Sequence, residues 1–238
     1  EPGTVQHLRD ELRWHAELLG GARDTEVLRE RLTAALAELA EPVGDAVIDR
    51  VTSSLAEAHA VSHGLLVESM STDRYEELQL ELERLLSAPG LLACVAAEEA
   101  SAVLPPMLGV AVGRVRRLAR RAAALPGDLT RWHEVRKAAK AVRYGAEALV
   151  GTLGGTAEHW RARWERVTEY FGAVQDCVVA TQVIEDLASR TVAEGLPRAP
   201  FDALLAHQDA ALREAMARGR DALAAALDTE AGPETFAV

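Results

Sequence analysis

Long helix-forming segments separated by isolated breakers most strongly constrain the fold of this chain. Alanine and leucine dominate the segments, whereas proline and glycine stand at isolated positions such as Pro42, Pro89-Gly90 and Pro126-Gly127. No window shows the alternation of β-branched and polar residues that is typical of strands. Aromatic residues make up only 4% of the 238 residues. The sequence therefore predicts an all-α fold.

The breakers divide the chain into a series of predicted helices. Gly20-Gly21 predicts a bend in the first helix, and Pro105-Pro106 predicts an interruption before a basic helix. A further break is expected over 151–156 because this segment is rich in glycine. The predicted helices cover 4–39, 45–69, 73–88, 91–104, 107–125, 129–150, 157–194 and 201–227.

Positive charge is concentrated in one part of the chain. Between Ala111 and Arg143 there are ten lysine and arginine residues against two acids, a net charge of +8, whereas the whole chain carries −11 and the remainder therefore −19. The two lysines of the chain, Lys137 and Lys140, both lie in this segment. A cationic segment within an anionic chain indicates a local site for a polyanion, because the surrounding acids repel a broad phosphate surface.

Composition also bears on the environment of the protein. No apolar run reaches the roughly 18 residues that a membrane span requires, and no charged-then-apolar leader opens the sequence. The two cysteines, Cys94 and Cys177, lack the paired spacing of a disulfide framework or metal site. These features favour a cytoplasmic protein with both cysteines acting as small apolar residues.

The helix after Pro126-Gly127 has two chemically distinct faces. At 100° per residue, one stripe is apolar and consists of Val135, Ala139, Val142, Ala146, Leu149 and Val150. The opposite stripe consists of His133, Arg136, Lys137, Lys140, Arg143 and Tyr144. Small residues on the flanks, Ala138, Ala141, Gly145 and Ala148, predict close approach of other helices. The cationic stripe is therefore expected to line a groove between helices.

The preceding basic helix shows the same division. Its apolar stripe contains Leu108, Val112, Val115 and Leu118, and its opposite face carries Arg114, Arg116, Arg117, Arg120 and Arg121. The short turn predicts antiparallel packing of the two helices, with Arg114, Arg117 and Arg121 bordering the same channel as the lysines. The alternative is a pair of solvated basic faces balanced by nearby acids.

An internal repeat is suggested by two similar segments. ELLGGARDTEVL at 17–28 and EYFGAVQDCVVA at 169–180 share the spacing of Gly20 and Asp24 with Gly172 and Asp176 at an offset of 152. These glycines are expected to permit close helix packing, and the aspartates to anchor a neighbouring helix end. Both positions are interpreted as structural.

The segment HEVRKAAKAVRY resembles the signature helix of CHAD domains, the conserved histidine α-helical domains. That pattern has His, Arg three residues later, Lys at seven, and Arg-Tyr at ten and eleven. The matching residues here are His133, Arg136, Lys140, Arg143 and Tyr144, and Lys137 is an additional cation. LRDELRWHAELLGGARDTEVL and YFGAVQD are similar to the Leu-Gly-x-x-x-Asp helix that follows each basic helix in this family.

The resemblance covers most of the chain and implies two similar antiparallel helical bundles related by a pseudo-two-fold axis. The predicted halves are residues 1–104 and 105–238, together one CHAD-like domain. The family carries a basic helix in each half, but at the observed offset the partner of His133 falls upstream of Glu1. The first basic helix is thus predicted to be missing from this chain, and the complete gene product is expected to contain one about 20 to 40 residues before Glu1.

The resemblance also implies binding of inorganic polyphosphate in a basic channel. The residues fit this ligand, because positions 133 to 144 span about 16 Å with a cation at nearly every turn. Lysine supplies a point charge, arginine a two-pronged donor and Tyr144 a neutral donor for phosphate oxygens. His133 is expected to become a cation when phosphates raise its pKa. The predicted polyphosphate site comprises His133, Arg136, Lys137, Lys140, Arg143, Tyr144, Arg114, Arg117 and Arg121.

Three other functions compete with this interpretation. His59 and His63 have the i,i+4 spacing of a helical metal site, but no third ligand is evident, so no zinc or nickel site is predicted. A phosphate-processing enzyme needs acidic metal ligands or a glycine-rich loop, and the basic segment offers only Asp128, Glu134 and Glu147. A nucleic-acid-binding scaffold needs stacking aromatics, and Trp132 is better explained as a packing residue at a helix start.

The sequence therefore predicts a protein that binds polyphosphate without catalysis and without a cofactor or metal. Its purpose is expected to be the targeting or tethering of a larger assembly to polyphosphate. The oligomeric state stays open.

Overall fold

A computed structural model describes residues 2–39, 44–90, 96–195 and 197–228 as helices joined by short turns, with no strand among them. The all-α prediction is confirmed. The helices are α1 (Pro2–Glu38), α2 (Asp45–Ser69), α3 (Asp73–Ser87), α4 (Ala100–Ala124), α5 (Leu129–Leu153), α6 (Gly155–Ala193) and α7 (Ala199–Leu227).

Side-chain caps fix the start of two helices. The hydroxyl of Thr72 accepts a hydrogen bond from the Tyr75 amide at the start of α3. The carboxylate of Asp128 accepts one from the Arg131 amide at the start of α5 and a second, of 2.8 Å, from the Arg131 side chain. Such caps satisfy amide groups that have no partner within the helix.

The predicted helix breaks were wrong at two places. α4 contains Pro105 and Pro106 without ending. α1 is continuous through Gly20-Gly21, and the bend predicted there stays a prediction. The two prolines lie in the second turn, so the backbone hydrogen bonds they remove are those to residues 101 and 102 near the helix start, where residue 102 is exposed. The break at 151–156 is reduced to Gly154, whose φ of 56° lies in a region that favours glycine.

The chain packs as two compact units, of which unit 1 contains residues 1–91 and 179–208. Its core includes Leu32, Val51, Leu55, Ile184 and Phe201, which come from α1, α2, α6 and α7. Ion pairs join its helices at the surface: Arg74 Nε lies 2.6 Å from Glu11 Oε2, and Arg50 pairs with Glu194.

Unit 2 contains residues 92–178 and 209–238. Its core contains large aromatic side chains, including Trp132, Trp160, Trp164 and Phe171. Trp132 stacks on Phe171 at 5.3 Å and donates its ring N–H to the Pro126 carbonyl, so its predicted role as a packing residue at the helix start is confirmed. Complete burial of a side chain of this kind stabilises a fold by about 1.5–3 kcal/mol.

The internal repeat is not confirmed, and the division into 1–104 and 105–238 stays a prediction. None of the described helices is long and apolar enough to cross a membrane. Cys177 is buried, as expected, whereas Cys94 lies outside the described residues.

Candidate functional site: a basic surface on unit 2

The two predicted faces of α5 occur in the structure. Val135, Val142 and Leu149 are buried in the core of unit 2, together with Ala139 and Ala146. On the other side of the helix, Lys137 and Tyr144 are exposed and His133 and Lys140 are partly exposed. Of the small flanking residues, Ala138 is buried, whereas Ala141 and Ala148 face solvent, so the expected close packing along the whole flank was wrong for those two positions.

Arg136 does not point freely into solvent but packs against α6. Its Nε donates to the Thr168 carbonyl at 3.4 Å. Its guanidinium also covers Gly172, where an added methyl group would lie 3.4 Å from Nε and from Nη2. Gly172 thus leaves room for the arginine, which is the close packing expected from its place in the repeated pattern.

Arg143 occupies the next position towards the end of α5. Its Nη1 lies 3.6 Å from Glu165 Oε1 on α6, and its guanidinium lies 4.6 Å from the centre of the Tyr144 ring. The Nε atom is buried without a hydrogen-bond partner in the described structure. Glu165 is shared, because Arg161 Nη1 also lies 2.9 Å from its other oxygen. Arg143 is therefore held between its own helix and α6.

The two lysines differ in their surroundings. Lys137 pairs with Glu134 one turn earlier, and this hydrogen bond, followed by the charges of Lys137, His133 and Arg114, lowers the pKa of Glu134 despite partial desolvation. Among the described residues, no carboxylate pairs with Lys140. Lys140 therefore carries a charge that no neighbouring carboxylate offsets, whereas the charge of Lys137 is partly neutralised by Glu134.

The arginines of α4 extend the positive charge beyond α5. Arg114, Arg117 and Arg121 are exposed, and the charge of Arg114 adds a small contribution to the lowered pKa of Glu134 on α5, after Lys137 and His133. The two helices approach closely at Gly145, where an added methyl group would lie 2.9 Å from Leu108 Cδ1. The structure thus brings Arg114 next to the α5 stripe, whereas Arg117 and Arg121 follow along α4.

His133 lies within this positive region and is half-buried. Desolvation, and then the charges of Lys137 and Arg136, lower the pKa of His133, while Glu134 and the Gln175 side chain act in the opposite direction. Its Nδ1 is buried without a hydrogen-bond partner among the described residues. These surroundings therefore favour the neutral imidazole, and an added anion would favour the charged form.

We use the term basic surface for the polar stripe of α5 with three exposed arginines of α4, all within unit 2: His133, Arg136, Lys137, Lys140, Arg143, Tyr144, Arg114, Arg117 and Arg121. Sequence reasoning did not identify the α6 residues that support it, Glu165, Thr168 and Gln175. The sequence signal for a contact between α5 and this part of α6 was Gly172, because it belongs to the repeated Gly-x-x-x-Asp pattern.

The two histidines with the i,i+4 spacing lie next to each other on α2. The rings of His59 and His63 lie 5.9 Å apart on α2, and His59 Nδ1 is 3.3 Å from the Thr25 hydroxyl. In the described part of the chain, no group of three or more His, Cys, Asp or Glu residues is placed to hold a metal ion.

The class of protein is all-α, with the residues His133, Arg136 and Lys140 on one face of a basic helix. The family model of the CHAD domain matches residues 1–185. The chain therefore belongs to the CHAD domain family. No curated protein and no solved structure matches the chain.

Proposed function

We propose that the basic surface binds inorganic polyphosphate. The observation that carries this proposal is the row of cations along α5. Two of them contact α6, and the charge of Arg114 on α4 acts on Glu134, which lies next to this row. Successive charges one turn apart match a linear polyanion better than a single phosphate group. Membership of the CHAD family is consistent with the same ligand.

We further propose that this binding involves no catalysis. Two carboxylates next to the row are engaged with cations, Glu134 with Lys137 and Glu165 with both Arg143 and Arg161. Carboxylates held in this way are poorly disposed to bind the magnesium ions that phosphoryl transfer uses. We propose a role in targeting or tethering an assembly to polyphosphate in the cytoplasm.

Charge reversal on α5 tests the proposal. Replacing Lys137, Lys140 and Arg143 together by Glu is expected to lower the affinity for long-chain polyphosphate at least 100-fold, because three attractive charges become repulsive. Arg13, Arg23 and Arg29 on α1 of unit 1 are exposed and provide a matched control with the same charge change. Calorimetric titration should show near wild-type affinity for that control. Equal losses in the two triple variants would contradict a localised site.

Salt dependence tests the same contacts without mutation. Each phosphate contact releases counterions and contributes about 0.7 to the slope of log affinity against log salt, if single-stranded nucleic acid is a guide. About five contacts then predict a loss of roughly 100-fold between 50 and 200 mM salt. A slope below about 1 would leave room for no more than one contact and would argue against a row of cations.

A further inference from the structure

Unit 2 contains a second cationic feature, a cavity of about 400 Å³ between the first part of α6 and the last part of α7. A volume of this order lies in the range of pockets that hold small organic ligands. Its lining residues are Arg163, Arg166, Tyr170, Arg218 and Asp221, together with Ala222, Ala225 and Ala226.

This cavity is separate from the basic surface. Arg166 and Tyr170 each lie two residues before an α6 residue that packs against Arg136, namely Thr168 and Gly172. Two residues correspond to about 200° around a helix, so the cavity and the α5 contacts lie on opposite sides of α6. A ligand in the cavity would not touch Lys140 or Arg136.

The three arginines of the cavity differ in their hydrogen-bond and ion-pair partners. Arg163 donates to the Ala225 carbonyl in the last turn of α7, and Arg218 Nη2 lies 2.5 Å from Glu214 Oε1. Arg166 is exposed, and no carboxylate pairs with it in the described part of the chain. Arg166 thus supplies an uncompensated cation, with Arg218 as the second donor.

Carbonyl groups at the end of α7 would ordinarily repel an anion. Here the Ala225 carbonyl accepts from Arg163, and the Leu227 carbonyl accepts from Arg116 at 3.4 Å. These bonds offset the negative end of the helix. The last turn of α7 is consequently compatible with an anion in the cavity.

The remaining lining groups indicate which chemical groups, besides a phosphate, a ligand of this cavity contains. Asp221 can only accept hydrogen bonds when it is ionised, so it favours a ligand with hydroxyl groups and repels a bare chain of phosphates. Ala222, Ala225 and Ala226 provide a small apolar wall. The cavity therefore combines cations for a phosphate group, an acceptor for hydroxyl groups and an apolar wall.

We propose that this cavity binds an organic phosphate monoester with a hydroxylated body, such as a nucleoside monophosphate or a sugar phosphate. Arg166 and Arg218 hold the phosphate oxygens, Asp221 accepts from a hydroxyl group of the ligand, and the alanines contact its apolar part. This site is independent of the polyphosphate proposal, since the two surfaces share no residue.

Calorimetric titration of the full chain with AMP tests the proposal. The wild-type protein is expected to bind one AMP, and the Arg166→Ala/Arg218→Ala variant is expected to lose at least tenfold in affinity. Arg213 lies on α7 outside the cavity and is 3.0 Å from Asp209, so Arg213→Ala is the matched control and should stay within twofold of wild type. Absence of saturable AMP binding at millimolar concentration, or an unchanged double variant, would overturn the proposal.

Two further measurements locate the ligand and define its body. Lys140→Glu is expected to leave AMP affinity unchanged, and a loss as large as that of the double variant would place AMP on the basic surface and refute the cavity site. Asp221→Ala is expected to lower AMP affinity severalfold relative to that of inorganic phosphate, because it removes the acceptor for the hydroxyl group while both ligands lose the same repulsion. If wild-type protein binds AMP no better than inorganic phosphate, the requirement for a hydroxylated body is wrong.

Discussion

Gly20 in α1 and Gly172 in α6 stand in similar local sequences but in different surroundings. A methyl group added at Gly172 would meet the guanidinium of Arg136 at 3.4 Å, whereas one added at Gly20 would meet nothing within 4 Å among the described residues. The same pattern of glycine and aspartate thus meets an arginine of α5 at Gly172, whereas no described residue approaches Gly20 in this way.

This difference shows that the role of the glycine depends on the side chain packed against it and not on the helix that contains it. Gly172 matters because Arg136 from α5 lies over it and donates to the nearby Thr168 carbonyl. At Gly20 the same residue type merely costs helix stability, since glycine is less favourable than other residues in a helix interior. The pattern of glycine and aspartate alone therefore does not establish a contact with a neighbouring helix.

Substitution of the two glycines by leucine gives the largest expected effect on stability. Gly172→Leu should displace the Arg136 side chain and lower the free energy of unfolding by about 1–3 kcal/mol, the usual cost of inserting bulk into a packed contact. Gly20→Leu is expected to be neutral or to stabilise by up to about 0.7 kcal/mol through helix propensity. Urea unfolding of the two variants measures both.

The comparison also predicts a difference in binding. Gly172→Leu should weaken polyphosphate binding because Arg136 loses its support, while Gly20→Leu should leave the affinity as in wild type. Similar losses of stability at the two glycines would show that Arg136 does not depend on Gly172.

Within α5, the two lysines are expected to contribute differently to polyphosphate affinity. Lys140→Ala is expected to reduce polyphosphate affinity about tenfold, because its charge is not offset by a neighbouring acid. Lys137→Ala should cost less, about threefold, because Glu134 already neutralises part of its charge. Calorimetric titration at one fixed salt concentration distinguishes the two, and a larger loss for Lys137→Ala would contradict the assigned ion pair.

The smallest expected effect is a dependence on pH through His133. Its pKa is lowered in the free protein by desolvation, Lys137 and Arg136, and a bound polyanion would raise it, so affinity should increase severalfold as pH falls through and below about 6.5. The increase should level off below the lowered pKa of the free protein. His133→Gln should remove this dependence, whereas His159→Gln, at an exposed position of α6, should retain it.

The same group affects stability in the opposite sense when no polyanion is present. The unfolded chain binds a proton at His133 near pH 6.5, before the folded protein does, so the free energy of unfolding should fall as pH drops below about 6.5. Thermal unfolding of wild type and His133→Gln between pH 7 and 5 measures this contribution. A loss of stability of equal size in the variant would exclude His133 as its source.

Local signals predicted much of this structure. The all-α class and the buried stripe through Val135, Val142 and Leu149 follow from periodicity, because a helix that buries one face must repeat its apolar residues every three or four positions. The turn before α5 was foreseen at Pro126-Gly127-Asp128, and the structure adds the capping role of Asp128.

Contacts between distant segments could not be predicted in this way. Periodicity showed that Arg136 and Arg143 lie opposite the core, but not that α6 covers that side with Thr168 and Glu165. The interruption predicted at the prolines of α4 was wrong because local propensity takes no account of packing, and Pro105 is buried within the continuous helix. The cavity between α6 and α7 depends on side chains far apart in sequence.

Gly154, the single residue between α5 and α6, has a consequence for how this part of the chain can evolve. Arg143 and Glu165 stand eleven residues before and after it, and Arg136 and Gly172 stand eighteen residues before and after it. The register of the contacts between the two helices is therefore fixed by the number of residues on each side of Gly154. A connection of one residue cannot absorb a change in that number. Insertion or deletion of one residue within α5 or α6 would move all the pairings that lie beyond it out of register. Lineages of this protein should accordingly vary in residue identity here while conserving the number of residues.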